Sequence, residues 1–337
     1  MPGTHTTTVV KKDGVLHYTT PDDGFSMNKA AYFTTILLLL SGIGFGQNPT
    51  EREDALSYVS GHLATWNSIP KYDVRIRLTE TESTFSGKNC LLATTNLRIQ
   101  MDRDKERCLY AYHRVKVPFD LALANQTERK DLDVVVCEVN ANGCRFKRIG
   151  DRSASFQATS FDQALTKSPI PNLALVGLEQ FPTAFEGTER SVAELTTAIG
   201  SGSYLTIDES DEILTITAIY KIKSKGRRRL RFDKKLLVPV GFKSEVDHGY
   251  GDEGFVDHTD QDVIYSHVEG MPRPEMVTTN SARVRQIDGQ LQATKGRIDA
   301  EFQWIAIDAA NDAFPKTIQD LSKMTELEEF VGLSDSN

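Results

Sequence analysis

The stretch Tyr72-Asp-Val-Arg-Ile-Arg-Leu-Thr79 decides the fold, because apolar and polar residues alternate along it without a break. Successive side chains of a β-strand point to opposite faces, so a period of two places all the apolar side chains of this stretch together. The other face carries Asp73, Arg75 and Arg77. The pattern therefore predicts a strand with one buried face and one wet face.

The same period recurs on both sides of this strand. Polar turns separate the segments at 102–105, 140–143 and 288–289, and Gly143 suits a turn position with positive φ. We count roughly ten strands, and short turns connect most of them. Strands do not alternate regularly with helices, which argues against a parallel α/β sheet. The strongest further strands are predicted at 91–101, 108–115, 134–139, 204–208, 214–222, 263–268, 282–287 and 298–307.

Helices are predicted at the start, in the middle and at the end of the chain. Thr50 and Glu53 form a T-x-x-E capping box, which begins a helix that reaches Trp66. Shorter helices are expected at 160–165, 191–199 and 318–330. The sequence therefore predicts an α+β fold. Its large, one-sided antiparallel sheet curls into an open half-barrel, with the N-terminal helix and the middle helical segment packed on the concave side.

Residues 27–46 have the pattern of a secretory signal peptide. Asn28 and Lys29 give a positive start, 30–40 form an apolar run, and small residues at Gly44 and Gly46 suit a cleavage site before Gln47. The run is shorter than the roughly 20 apolar residues of a membrane span. We therefore expect a periplasmic or secreted protein. The alternative is a buried helix in a cytoplasmic protein.

These patterns divide the chain into four parts. Residues 1–26 are predicted to be a disordered or non-native extension, 27–46 the signal peptide, 47–316 a single α+β half-barrel domain, and 317–337 a tail with a short helix. After Leu40 no long apolar run follows, so the mature chain is expected to have no transmembrane span. The net charge of −8 argues against nucleic acid as a partner.

Four cysteines and three histidines are the candidates for site chemistry. An even number of cysteines in an oxidising compartment permits two disulfides, whereas the alternative is that the thiols are simply buried. Imidazoles in the acidic stretch 247–267 could ligate a metal ion, whereas the alternative is a solvated loop between strands. The disulfide candidates are Cys90, Cys108, Cys137 and Cys144, and the metal candidates are His248, His258 and His267. No G-x-S-x-G nucleophile motif is present, and we expect no cofactor and no enzymatic activity.

The order of the elements resembles a known family. A helix over 55–66 precedes the strand at Tyr72, helices interrupt a long antiparallel series, and the series resumes at 214–222 and 228–233. This order resembles the LolA/LolB-like outer-membrane lipoprotein-sorting superfamily, in particular its larger secreted relatives. The resemblance implies an unclosed β-barrel with helices as a lid and an apolar cavity that holds acyl chains. This chain is longer than the sorting carriers, mainly around 150–200 and 245–280.

Apolar strand residues would line such a cavity if one is present. The candidates are Val74, Ile76, Leu97, Ile99, Leu214, Ile216, Phe232, Phe302 and Trp304. We expect an exported, non-enzymatic protein that binds a hydrophobic ligand, either a lipid or a lipoprotein acyl chain. In the alternative the same residues pack on the helices, and the protein is an interaction module for an envelope protein or polymer. A metal-dependent hydrolase is the third hypothesis, and it requires the three histidines to converge.

Overall fold

The structure is a computed structural model of the 337-residue chain. It describes residues 8–12, 15–19, 69–83, 89–117, 131–149, 153–168, 204–221, 225–236, 238–248, 254–268, 271–287, 290–307 and 314–333. The predicted signal peptide at 27–46, the predicted N-terminal helix and the predicted helix over 191–199 lie outside these residues. No described helix is long and apolar enough to cross a membrane.

Antiparallel strands make up nearly all of the described structure. Two short strands, β1 (Thr8–Lys12) and β2 (Val15–Thr19), form a separate hairpin within the stretch for which the sequence predicted no structure. The remaining strands form one 13-stranded sheet. They are β3 (Lys71–Ser83), β4 (Asn89–Asp102), β5 (Arg107–Lys116), β6 (Asp131–Asn140), β7 (Gly143–Arg148), β8 (Ala154–Gln157), β9 (Tyr204–Glu209), β10 (Ile213–Lys221), β11 (Lys225–Asp233), β12 (Val238–Asp247), β13 (Phe255–Val268), β14 (Met271–Ile287) and β15 (Gln290–Ile307).

The sheet consists of two meanders joined at its centre. Its strand order is β8-β7-β6-β5-β4-β3-β15-β14-β13-β12-β11-β10-β9, so the first and last strands of the chain's main sheet are neighbours. In their register Ile76 on β3 lies opposite Leu97 on β4 and Phe302 on β15. The described strands β8 and β9 are the two ends of the order, so the sheet they define is open. The prediction of one large antiparallel sheet is confirmed.

Three short helices accompany the sheet in the described residues. Helix α1 (Phe161–Lys167) begins after Ser160, whose side chain accepts a hydrogen bond from the amide of Gln163. At the C-terminal end a 3₁₀ helix (Ile318–Leu321) precedes helix α2 (Met324–Val331). The sequence predicted one helix over 318–330, but the backbone turns at 322–323 and divides it.

The two α-helices lie on opposite faces of the sheet. We call the face that carries Val74 and Ile76 the core face. Phe161 and Ala164 of α1 join its apolar cluster. Helix α2 packs instead on the opposite face, where Leu327, Phe330 and Val331 meet a second cluster from β5 and β6. The sheet is therefore two-sided at this point, unlike the prediction, because β5 and β6 are apolar on both faces.

Candidate functional site

The core face changes character along the length of its strands. On β3 the buried side chains of Val74, Ile76 and Leu78 are followed on the same face by Glu80. On β5 the buried Tyr112 is followed by Arg114. We call the buried portion the apolar half. We call the rest the charged end, which consists of Glu80, Glu82, Arg114, Lys116, Asp133, Arg148, Asp257, Arg283 and Arg285.

A pocket of about 790 Å³ lies at the charged end. Its lining comes from strands as far apart in the sheet as β7, with Arg148, and β13, with Asp257. Seven strand spacings separate these two strands, which is about 34 Å in a flat sheet. Because side chains from both strands line the same pocket, the sheet curves around it and the core face is concave.

Ion pairs neutralise part of the charged end. Arg114 pairs with Glu80 at 2.6 Å, and Arg283 forms two hydrogen bonds, of 2.7 and 3.0 Å, to Asp257. The Tyr112 hydroxyl donates a hydrogen bond to the Asp133 carboxylate at 3.0 Å.

Two other cations of the charged end are Lys116 and Arg285. The positive charge of Lys116 acts to lower the pKa of Glu80, and in the register Lys116 lies opposite Asp131 on β6. On its other side Lys116 lies opposite Ala93, and Arg285 lies near the ring of Phe255, 5.6 Å from its centroid.

Burial changes the acid–base behaviour of the pocket. It raises the pKa of Glu80, although the positive charge of Arg114 opposes the shift. Burial also raises the pKa of Glu82. Tyr112 has its pKa raised to about 12 by burial and by the neighbouring Asp133, so its hydroxyl stays protonated and can donate hydrogen bonds. As the pH falls, Glu80 and Glu82 lose their negative charge earlier than ordinary glutamates, and the pocket becomes more positive.

The register places all nine predicted cavity residues on the core face. Six of them lie on the neighbouring strands β4, β3 and β15, and three lie on β10 and β11. Eight are at most 8% exposed, whereas Trp304 is partly exposed and donates a hydrogen bond from its indole to the carbonyl oxygen of Pro274. The apolar half is thus well packed around these eight residues.

Other apolar side chains of the core face are only partly buried, and sequence analysis did not select them. Phe146, Ile298 and Tyr265 pack against the core cluster and keep part of their surface exposed. Ile298 also lines the pocket. The alternation in 298–307 does place Ile298 on the same face as Phe302, so the sequence contained the signal for this residue.

The four cysteines are buried free thiols in this structure. Cys144 lies opposite Val139, and Cys137 lies opposite Phe146, so these two cysteines are diagonal neighbours on β6 and β7 rather than a facing pair. Burial raises the pKa of Cys108 to about 12, and a hydrogen bond with Cys144 together with burial raises the pKa of Cys137. Cys90 lies in a separate small cluster. The two-disulfide alternative is therefore not the arrangement observed.

The three histidines do not converge. His258 and His267 are nine residues apart on β13, which corresponds to about 30 Å along a strand. His248 instead pairs with Asp257 at 3.3 Å and stacks on Phe255. In the described ranges no group of three or more His, Cys, Asp or Glu side chains is placed to hold a metal ion. The metal-site hypothesis fails because most of the expected loop is the long strand β13.

A second pocket, of about 700 Å³, lies on the opposite face. Its walls include Arg77, His113 and Leu91, and the C-terminal end of α2 closes one side with Val331 and Leu333. Burial lowers the pKa of His113, so this imidazole is neutral at physiological pH. Two of the predicted cavity residues, Ile76 and Phe302, also belong to the lining of this pocket.

Comparison with known proteins gives matches among solved structures only. No family model matches the chain, and no curated protein matches it. Among solved structures the chain is similar to a DUF1329 family protein from Desulfovibrio piger ATCC 29098, with a TM-score of 0.37, 8% identity and coverage of 81% of this chain and 98% of that one. It is also similar to the LolA superfamily protein NE2245 from Nitrosomonas europaea, with a TM-score of 0.32, 11% identity and coverage of 78% and 97%.

The second of these structures bears the family name that the element order suggested. Both TM-scores are below 0.5, so the likeness assigns no ligand and no role to this chain.

Proposed function

We propose that this chain is a non-enzymatic binding protein that carries a lipid or a lipoprotein acyl chain on its concave core face. One observation carries the proposal. The strands of this face pass from buried apolar residues to charged ones, and the pocket of about 790 Å³ lies where the two meet. An amphiphile has the same arrangement of groups, because its apolar chain is attached to a polar head group.

The apolar chain would lie against the partly exposed side chains of the core face. Ile298 lines the pocket, and Phe146 and Trp304 lie further along the same face. Each buried methylene contributes about 0.8 kcal/mol, so eight methylenes would contribute about 6 kcal/mol before the cost of association. That contribution is sufficient for reversible binding.

Helix α1 would act as the movable cover over one end of the apolar half. It has seven residues and meets the core cluster through Phe161, Ala164 and Leu165. A helix of this length is not stable by itself in water, so its position depends on these contacts. A displacement of α1 would uncover apolar surface on β6 and β7, and the ligand chain would replace the contacts that α1 gives up.

Export would bring the protein to such ligands. The proposal includes cleavage of 27–46 before Gln47 and a periplasmic or secreted location, with 47–316 as the binding domain. A lipoprotein or another hydrophobic molecule of the cell envelope would then be the ligand, and an envelope protein would be the partner that receives it.

Native mass spectrometry of the protein, expressed as the full-length chain and purified without detergent, tests the proposal. We expect a lipid-sized adduct that solvent extraction removes and that returns when a fatty acid or phospholipid is added. The variant Ile298→Glu should lose the adduct, because it places a charge where the apolar chain begins. Ile264→Glu is the matched control, since Ile264 is 50% exposed and should tolerate the charge. An unliganded mass that takes up neither lipid would refute the proposal.

A further inference from the structure

We infer that the opposite face of the sheet is a docking surface for a peptide segment, where a partner protein places an acidic amphipathic helix in the position that α2 occupies. The inference does not depend on lipid binding, because it concerns the face that lies away from the core face. It is carried by the way in which β3 to β6 hold residues 314–333 of this chain, which we call the C-terminal segment.

Six side chains of β3 to β6 and of the turn between β4 and β5 form hydrogen bonds to backbone atoms of the C-terminal segment. The donors are Arg98 to the carbonyl of Phe330 at 3.0 Å, Arg75 to that of Glu329 at 3.3 Å, and Lys105 and Arg107 to those of Phe314 and Pro315 at 3.4 Å. The acceptors are Gln100 for the amide of Lys316 at 3.0 Å and Glu138 for the amide of Ile318 at 3.2 Å. Because backbone atoms are common to all residues, contacts of this kind also suit a segment of different sequence.

The sheet itself fixes the polar side chains that hold the segment. Asp73 is 4% exposed and accepts two hydrogen bonds from Arg98, of 2.8 and 2.7 Å. The same carboxylate accepts a third, of 2.9 Å, from Gln100, which is 5% exposed. Since these partners belong to β3 and β4, they keep Arg98 and Gln100 in position for whichever segment binds. The docking surface is therefore preorganised.

Apolar side chains give the surface its preference for an amphipathic helix. Leu327, Phe330 and Val331 lie three and four residues apart on one face of α2, and each is at most 3% exposed. The groove beneath them consists of Leu109, Ala111, Val134 and Val136 on β5 and β6. This is the spacing with which an amphipathic helix lies in an apolar groove of another protein. Helix α2 thus shows the kind of ligand that the groove accepts.

The polarity of the helix and its charge favour an acidic helix that ends where α2 ends. The carbonyl oxygens at the C-terminal end of a helix carry partial negative charge, which a guanidinium stabilises. Arg75 and Arg98 occupy this position relative to α2. The helix has three glutamates and no basic residue, and Glu328 acts electrostatically on His113 of β5. A basic helix would place its charges beside the two guanidinium groups and would bind less well.

The C-terminal segment can leave the groove without breaking the sheet. Its 3₁₀ helix has four residues and α2 has eight, and helices of this length depend on tertiary contacts. Among the described residues no backbone–backbone hydrogen bond joins the segment to a strand. Its release therefore breaks side-chain contacts and leaves the ladders of β3 to β6 intact. The exposed groove would then be open to a partner helix.

Binding of a fluorescent peptide to the full chain tests the inference. The probe has the sequence of residues 314–333, stands for the partner segment, and is followed by fluorescence anisotropy. The chain's own segment competes at a high effective concentration, so we expect weak binding to the unaltered protein. Leu327→Ala in the protein loosens that segment, and the unaltered peptide should bind this variant about tenfold more tightly.

Changes in the peptide serve as controls, because they cannot unfold the protein. A Phe330→Ala peptide should bind the loosened chain about tenfold less tightly, whereas a Thr325→Ala peptide, altered at an exposed position, should bind as the original does. Equal binding of the Phe330→Ala peptide, or no binding of any peptide, would overturn the inference. Dimerisation of the loosened chain without peptide would identify a second copy as the occupant and would also overturn it.

Hydrogen exchange of the unaltered chain gives a test that needs no variant. We expect the amides of α2 to exchange about tenfold faster than those of β5 and β6, because the segment opens while the sheet stays folded. Exchange of α2 only together with the whole sheet would overturn the inference, since the groove would then never open in the folded protein.

Discussion

Glu80 and Arg114 form an ion pair of 2.6 Å at the point where the core face turns from apolar to charged. Each lies two residues beyond an apolar core-face residue of its strand, Leu78 on β3 and Tyr112 on β5. Their side chains are 14% and 17% exposed, so the pair is largely removed from water. It therefore forms the boundary between the two parts of the proposed binding surface.

Breaking this pair should destabilise the protein. Arg114→Gln leaves the largely buried Glu80 carboxylate without its ion-pair partner, and we expect the free energy of unfolding to fall by about 2 kcal/mol at pH 7. Urea unfolding followed by circular dichroism measures the change. The double variant Glu80→Gln/Arg114→Gln should recover a large part of it, because no uncompensated charge remains. A double variant that is less stable than the single one would contradict this explanation.

Binding of an anionic lipid should strengthen as the pH falls towards the range in which glutamates take up protons. Burial raises the pKa of both Glu80 and Glu82, so each takes up a proton above the pH at which an ordinary glutamate does. Protonation removes negative charge from the pocket. The same shifts favour the folded state at acidic pH, since it binds these protons before the unfolded chain does. Lipid titrations at several pH values check the trend, which Glu82→Gln should flatten and the exposed Glu301→Gln should not.

The helix on the opposite face should contribute to stability and not to lipid binding. Phe330 is 2% exposed, and its carbonyl oxygen accepts a hydrogen bond of 3.0 Å from Arg98, which also pairs with Asp73. We expect Phe330→Ala to lower the free energy of unfolding by about 3–4 kcal/mol and to expose the C-terminal segment to proteases. Leu132→Ala, at a side chain that is 51% exposed, is the control with a small effect. A loss of lipid uptake in folded Phe330→Ala would argue against separate roles for the two faces.

The turn between β6 and β7 should require glycine at Gly143. Its φ is +139°, and a Cβ at this position would lie 1.9 Å from the carbonyl oxygen of Phe156 on β8. Gly143→Ala should therefore cost about 2 kcal/mol or more and displace β8 from the sheet edge. Gly332→Ala is a milder comparison, because there the nearest atom is the Nε of Arg75 at 3.2 Å. Thermal unfolding of the two variants should place Gly143→Ala lower.

Much of the sheet was predictable, because the alternation of apolar and polar residues indicates both that a segment is a strand and which of its faces is buried. The alternation in 72–79 predicted β3 and the side of it that is buried, and the register then placed Ile76 beside Leu97 and Phe302. Pairing partners of this kind depend on contacts far apart in the chain, so the sequence predicted the shared face and not the neighbours.

Only the second half of β13, over 263–268, was predicted from the sequence, because the first half lines the charged pocket. Val263 and Tyr265 are apolar and were recognised, but the earlier core-face positions Asp257, Thr259 and Gln261 are polar. A hydrophobic pattern does not identify a strand whose inward face lines a charged pocket. This departure from the core pattern coincides with the candidate site, as is common at functional positions.

The placement of α2 and the pocket itself could not be predicted. The stretch 134–137 is apolar at consecutive positions and hence on both faces of β6, but the sequence was interpreted as a one-sided sheet, and nothing in this stretch identifies α2 as the element that covers the second face. The pocket depends on the curvature that brings Arg148 and Asp257 to one place. Curvature results from the twist of all the strands together, and no local segment determines it.

Quenching of Trp304 by a brominated acyl chain tests the central claim most directly. The chain has two tryptophans, so Trp66→Phe leaves Trp304 as the reporter on the core face, about 20 Å along β15 from Ile298 at the pocket. We predict that phosphatidylglycerol with brominated chains binds and quenches the fluorescence of Trp304, and that Ile298→Glu abolishes both effects. Binding of the same lipid with no quenching, or no binding at all, would contradict the placement of an amphiphile along the core face.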